Sequence, residues 1–190
     1  MTTIFLVRHG ETDWNAAGRI QGSTDIPLNA KGIQQAKECG QFLKQSSWDV
    51  IITSPLKRAK VTAEIINENL HIPLVEMGDF KEKFFGDAEG MTLEERRAKY
   101  PDHMYPNQED EESLTKRVMN GLEKINHDYP NQKVILVVHG AVINSILAEI
   151  SNGELGYGKT RIQNACISDI HYHENGWKVR TFNQVSHLSQ

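Results

Sequence analysis

Cysteine, long apolar runs and an excess of either charge are all scarce in this sequence, and each scarcity removes a class of protein. Only two cysteines, Cys39 and Cys166, occur in 190 residues. They form no C-x-x-C pair and no secretory framework, so the chain reads as reduced and intracellular, needing no disulfide or metal to fold. No stretch approaches a membrane span, and Met1-Thr2-Thr3-Ile4 lacks the basic start and apolar core of a secretory signal. A cytoplasmic protein with no membrane partner is expected. Lysine plus arginine number 21 against 25 aspartates plus glutamates, a formal net charge of -4. The two signs are interspersed, which argues against a nucleic-acid partner. The one cluster, Glu109-Asp110-Glu111-Glu112, is expected to be a solvated loop that can bias which substrates enter a nearby site. Without repeats, linkers or low-complexity tracts, residues 1–190 are expected to form a single domain.

Two apolar runs of strand length are present, and both end in the same way. Ile4-Phe5-Leu6-Val7 stops at Arg8-His9-Gly10, and Val134-Ile135-Leu136-Val137-Val138 stops at His139-Gly140. Runs of this kind fit strands buried on both faces of a parallel sheet. Each therefore delivers a histidine to a strand end, where open α/β sheets hold their ligands.

Between and after these runs, strand and helix patterns alternate. Asn15 to Gly22 reads as a loop, and Asn29 caps a helix to about Lys44 with Ile33, Ala36 and Leu43 on its buried face. Asp49 to Thr53 is a short strand that runs into Ser54-Pro55-Leu56-Lys57-Arg58, with Ser54 at N-cap and Pro55 at N1 of the next helix. Asp79 to Gly90 is a loop, Thr92 opens a short helix through a capping box, and Ser113 caps a longer one. Residues 101–112 read as an exposed lid. Ala141 to Ile150 is helical, and the two strands flanking Asn175-Gly176 form a terminal hairpin. The expected fold is an α/β three-layer α/β/α sandwich, its mostly parallel sheet extended by that hairpin.

This topology places Arg8, His9, Arg58 and His139 on one side of the sheet, with Arg58 in a first helical turn where backbone N–H groups already favour an anion. Two guanidinium forks can hold the oxygens of a phosphoryl group while an imidazole attacks in line. No ligand set for a metal is apparent, so neither metal nor other cofactor is predicted. A leaving alkoxide needs a proton donor, and Glu82, among Phe80, Phe84 and Phe85, is the best candidate for an acid held neutral by apolar surroundings. Gly153 to Thr160 satisfies G-x-x-x-x-G-K-[ST] letter for letter, but a helix precedes it and a hairpin strand follows, so it reads as a connection and not as a nucleotide loop.

The pieces Leu6-Val7-Arg8-His9-Gly10-Glu11-Thr12, Asn15, Gln21-Gly22, Ser54 to Ala59, Glu82 with Gly86 and Glu89-Gly90, and Val138-His139-Gly140 resemble, in order and spacing, the histidine phosphatase or phosphoglycerate mutase-like superfamily. The resemblance implies that His9 is the phosphohistidine nucleophile, that Arg8 and Arg58 bind phosphate and that His139 stabilises the transferring group. Glu82 becomes the proton donor and then the base for water, and Asn15, Gln21 and the Gly140 backbone complete the pocket. Ala88 stands where a tryptophan is common, and Glu111-Glu112-Ser113 replaces a frequent Gly-Glu-Ser; both flank the substrate mouth. Residues 91–112 are shorter than the corresponding segment of the mutases and end acidic, which favours hydrolysis of a small-molecule phosphate ester. The rival is a phosphoglycerate mutase, and the more remote alternative a non-catalytic phosphoester-binding module.

Overall fold

The computed structural model describes residues 1–189. Six strands, β1 (Thr2–Arg8), β2 (Val50–Thr53), β3 (Leu74–Glu76), β4 (Lys133–Val138), β5 (Ile167–His173) and β6 (Gly176–Gln184), form one sheet in the spatial order β3-β2-β4-β1-β5-β6. The first four in that order are parallel, and β5 and β6 join antiparallel. The helices are α1 (Asp13–Ala16), α2 (Ala30–Leu43), α3 (Lys57–Asn67), α4 (Leu93–Lys99), α5 (Glu111–Asp128) and α6 (Gly140–Ile150).

Alternation along the strands splits the core in two. Ile4, Leu6, Val134 and Leu136 face Leu114, Val118 and Leu122 of α5 and Val142 and Ile146 of α6. Val7, Ile51, Ile135 and Val137 face Cys39 and Leu43 of α2 and Ala59, Ala63 and Ile66 of α3. With both faces covered, β1 and β4 have to be apolar on successive residues, which is why they read as unbroken runs. The three layers and the mostly parallel sheet are those the sequence predicts.

The elements differ from the expected ones in several places, each for a local reason. Ile33 is exposed, and α2 buries Gly32, Ala36, Cys39, Gly40 and Leu43 instead. A Cβ on Gly32 would lie 2.1 Å from Glu11 O, so the bare glycine lets the helix rest on the chain just after β1 and turns Ile33 outward. The stretch from Asn15 begins inside a one-turn helix, α1, whose Thr12 cap and Asn15 form a capping box. Asp110, not Ser113, caps α5, its Oδ1 accepting from Ser113 N at 2.7 Å. The hairpin turns on Glu174 and Asn175, both at positive φ, so Gly176 already pairs with His173.

Candidate active site

Because β2, β4 and β1 are parallel neighbours in register, they end side by side, Arg8 opposite Val138 and Thr53 opposite Val137. The next residues are Ser54, His139 and His9. Backbone pairing continues through them, with His9 N–H donating to Val138 O at 3.1 Å and Ser54 N–H to Val137 O at 3.0 Å. The two imidazoles that the sequence carries to separate strand ends thus meet with ring centroids 5.2 Å apart.

Hydrogen bonding fixes the state of each ring. His9 Nδ1 lies 2.7 Å from Gly10 O. A carbonyl only accepts, so Nδ1 carries the proton and Nε2 keeps its lone pair. Burial, then the Arg8 and Arg58 guanidinium groups, holds the His9 pKa well below the ordinary histidine value. His139 is lowered well below that value too, by burial first and by Arg58, His9 and Arg8 after it. Its Nε2 lies 2.8 Å from Ser54 Oγ, which also accepts from Leu56 N. The helix itself, α3, starts later than expected, at Lys57 with Leu56 at its N-cap and no side-chain cap.

Both arginines are anchored from behind. Arg8 Nη1 donates to Ile162 O at 2.7 Å, and its guanidinium lies over Gly140, where a Cβ would come within 3.4 Å of Nε. Arg58, in the first turn of α3 as predicted, donates to Gly22 O, to Thr24 O at 3.1 Å and to Asp25 Oδ1 at 3.3 Å. Arg8 Nε, Arg58 Nε and His139 Nδ1 are buried and have no partner among the described residues. Such groups are costly to leave unsatisfied. In the tautomer in which Ser54 O–H donates to Nε2, His139 Nδ1 is a donor as well, and the three together suit a compact oxyanion.

Glu82 lies beside these donors. Its Oε1 accepts from Lys83 N at 2.9 Å and its Oε2 from Ala141 N at 3.0 Å, at the start of α6. Burial raises its pKa, against the pull of the Ala141 and Lys83 amides and of Arg58 and Arg8. Of the three phenylalanines expected around it, Phe80 is buried and Phe85 half-buried, but Phe84 points to solvent and is 42% exposed. The loop is shaped by Arg117 of α5, which donates to Asp79 O at 2.9 Å, to Lys81 O at 2.6 Å and to Glu82 O at 3.2 Å while pairing through two nitrogens with the Glu109 carboxylate.

The same contacts correct the expected acidic entrance. Glu109 is paired with Arg117, Glu111 with Lys83, and Asp110 caps α5, so the segment is largely compensated instead of a free field of four carboxylates. Residues 101–112 are not a free lid either. Pro106 O accepts from Asp87 N, Glu109 N donates to Phe84 O, and the Tyr105 hydroxyl accepts from Arg96 Nε.

The remaining expected residues line the edge. Asn15 Oδ1 accepts from Thr12 N and from Asn164 Nδ2, and Asn164 Nδ2 also donates to His9 O. Gln21 is held by Thr12 Oγ1 at 2.8 Å and by Ile26 O at 3.3 Å, so its amide is engaged within its own loop. The Gly140 amide stands at the start of α6. In the P-loop-like stretch, Lys159 Nζ bonds to Gly153 O, with α6 before it and irregular chain after it.

Several supporting residues carry little mark in the sequence. The Glu89 carboxylate accepts from Ser23 N, Thr24 N and Phe85 N, tying the loop that holds Arg58 to the one that holds Glu82. Thr62 Oγ1 accepts from Gly10 N. Ser54 does have a legible signal, since it ends β2 as the two histidines end β1 and β4. Glu89 is marked only as part of the Glu89-Gly90 piece of the resemblance, and Asp25 and Arg117 have no signal. Among the described residues no group of three His, Cys, Asp or Glu side chains could hold a metal ion, and no helix is long and apolar enough to cross a membrane.

Comparison with known proteins gives a consistent picture. The histidine phosphatase superfamily (branch 1) profile matches residues 4–185. The chain is 59% identical over 189 residues to a Bacillus subtilis (strain 168) protein named uncharacterized phosphatase PhoE, covering 100% of this chain and 98% of that one. It is 34% identical over 203 residues to the metal-independent phosphoserine phosphatase of Arabidopsis thaliana, covering 100% of this chain and 84% of the relative. The crystal structure of phosphoserine phosphatase from Entamoeba histolytica, in complex with 3-phosphoglyceric acid, superposes with a TM-score of 0.88 at 32% identity, covering 100% of both chains. A profile match over nearly the whole length, on a fold whose parallel strands bring His9 and His139 together, shows that this chain belongs to the histidine phosphatase superfamily, branch 1.

Proposed function

We propose that the chain acts as a single-domain phosphatase, hydrolysing small phosphomonoesters through a phosphohistidine on His9 without metal or cofactor. The carrying observation is that Arg8 Nε, Arg58 Nε and His139 Nδ1 are buried without a partner among the described residues, in side chains that neighbour His9, whose ring lies 5.2 Å from that of His139 and whose Nε2 keeps its lone pair. Relatives named as phosphatases, one of them metal-independent, support the reading. In the first step His9 Nε2 forms a bond to phosphorus as the ester P–O bond breaks, and the Glu82 carboxylic acid gives its proton to the departing oxygen. In the second, the Glu82 carboxylate takes a proton from water, whose oxygen attacks phosphorus as the N–P bond breaks. Arg8, Arg58 and His139 hold the phosphoryl oxygens throughout, supplying by preorganised charge what metal ions supply in other phosphoryl-transfer enzymes. The 91–112 segment, short and tied down, favours hydrolysis over a mutase reaction.

Incubation with a 32P-labelled phosphomonoester tests this. Wild-type protein is expected to form an acid-labile, alkali-stable phosphoenzyme and to release inorganic phosphate, and His9→Ala to do neither. Transfer of label to monophosphoglycerate in place of release would establish the mutase. Absence of any phosphoenzyme, with His9→Ala binding esters as well as wild type, would leave only the binding module.

A further inference from the structure

Beyond the phosphate clamp the surface continues into a cleft of about 530 Å³, lined among others by Arg8, Asn15, Arg19, Lys31, Arg161 and Gln163. Arg8 lines both, with Asn15 at their edge, so the cleft adjoins the clamp. Its positive charges are not equivalent. Arg19 Nη1 donates to Gly90 O and lies 3.7 Å from Glu95, and Lys31 lies 3.8 Å from Glu11. The Arg161 side chain makes no hydrogen bond or ion pair with any described residue.

An exposed arginine without a partner is ordinarily just solvated. The setting of this one is different because its loop is bracketed on both sides. Asn183 Nδ2 donates to Arg161 O at 2.8 Å, and Asn183 Oδ1 accepts from Gln163 N at 3.0 Å. The bracketing residue is held at φ 51°, a left-handed conformation that asparagine adopts more readily than most side chains. Ile162, between the two bracketed residues, turns its carbonyl to Arg8 Nη1. The loop continues at Ala165, also left-handed at φ 61°, whose N–H reaches Arg8 O and His9 O. The same short stretch therefore supports the nucleophile and the phosphate arginine and fixes the base of Arg161 one residue away.

A planar guanidinium with free donors matches a carboxylate in a two-pronged arrangement, and the Gln163 amide stands beside it in the cleft. Glu11, the carboxylate in the cleft wall, is engaged by Asn29 Nδ2 and Lys31, so it is not free to select an ammonium group. We propose that Arg161, with Gln163 beside it, is the specificity contact for the leaving group, selecting phosphomonoesters that carry a carboxylate and disregarding an amine. This rests on the phosphatase reading of the site.

The test is kcat/KM for wild type, Arg161→Gln and Arg161→Lys on O-phosphoserine and 3-phosphoglycerate, which carry a carboxylate, and on glycerol 3-phosphate and p-nitrophenyl phosphate, which do not. In Arg161→Gln the ratio of carboxylate to neutral esters is expected to fall roughly tenfold, mainly through KM, with Arg161→Lys between it and wild type. Phosphoserine and 3-phosphoglycerate should fall together, because the amine is not read. An unchanged ratio, or a loss confined to phosphoserine, overturns the assignment while the phosphatase reading stands. Failure of wild type to hydrolyse any of the four overturns both.

Discussion

A single hydroxyl at the end of β2 decides which nitrogen of His139 faces the site. Ser54 Oγ accepts from Leu56 N and lies against His139 Nε2; when it donates its one proton there, Nδ1 is left as the buried donor. Burial and the neighbouring arginines keep this imidazole neutral, so the tautomer matters more than its charge. Ser54→Ala removes the group that selects it, and either ring nitrogen can then carry the proton. The expected result is a fall in kcat of roughly tenfold and weaker inhibition by inorganic phosphate, of the order found when partners that orient a functional histidine are removed. A merely structural serine would lower thermal stability while leaving the phosphate inhibition constant as in wild type.

At the scale of elements, Glu82, the proposed proton donor, depends on α5, a helix far from it in sequence. Arg117 gathers the carbonyls of Asp79, Lys81 and Glu82 and is itself held by Glu109, so one side chain sets the path of the whole loop. Arg117→Met is expected to cost about 2–3 kcal/mol, because Glu109 and three carbonyls lose their donor, lowering Tm by roughly 5–10 °C. If the loop serves to aim Glu82, kcat should fall roughly tenfold or more on alkyl phosphates and much less on p-nitrophenyl phosphate, whose leaving group needs little protonation. Equal loss on both esters would assign Arg117 to folding alone. This clamp also shows what the sequence could and could not convey. The strands, the sheet-end histidines and the position of Arg58 follow from runs and start signals within ten residues of one another. Ser54-Pro55 reads as a helix start, whereas the contact of Ser54 that bears on the site is with His139, 85 residues away. Likewise the Glu82 carboxylate is held by the start of α6 and its backbone carbonyl by Arg117, while of the three phenylalanines expected around it Phe80 is buried and Phe84 lies in solvent.

For the whole molecule, placing two neutral histidines against two buried guanidinium groups has a consequence for stability in acid. The folded-state pKa values of His9 and His139 lie well below 6.5, the value each regains on unfolding. Above pH 6.5 neither state binds a proton there, and the pair contributes no pH dependence. Below it the unfolded chain takes up protons that the folded chain excludes, so stability falls as pH falls, by up to about 1.4 kcal/mol per pH unit for each group. His171 and His187, also lowered, act in the same direction. Glu82 and Asp169 act against it. Their raised pKa values mean that the folded state binds their protons first, which restores some stability as pH falls through the folded values toward 4.5 and 3.8. Glu89, lowered by its hydrogen bonds to the 23–24 loop despite partial burial, adds stability above 4.5 that is lost as pH drops through its folded value. A difference measurement isolates one histidine from these opposing groups. Urea unfolding of wild type and His139→Asn across about pH 8 to about pH 5 should give a constant difference above pH 6.5. Below it, the variant should gain on wild type with a slope approaching 1.4 kcal/mol per pH unit. A difference that stays constant down to about pH 5 would mean that His139 is protonated in the folded site, and the arrangement of Ser54, His139 and the two arginines would then have to hold a cation instead of a neutral donor.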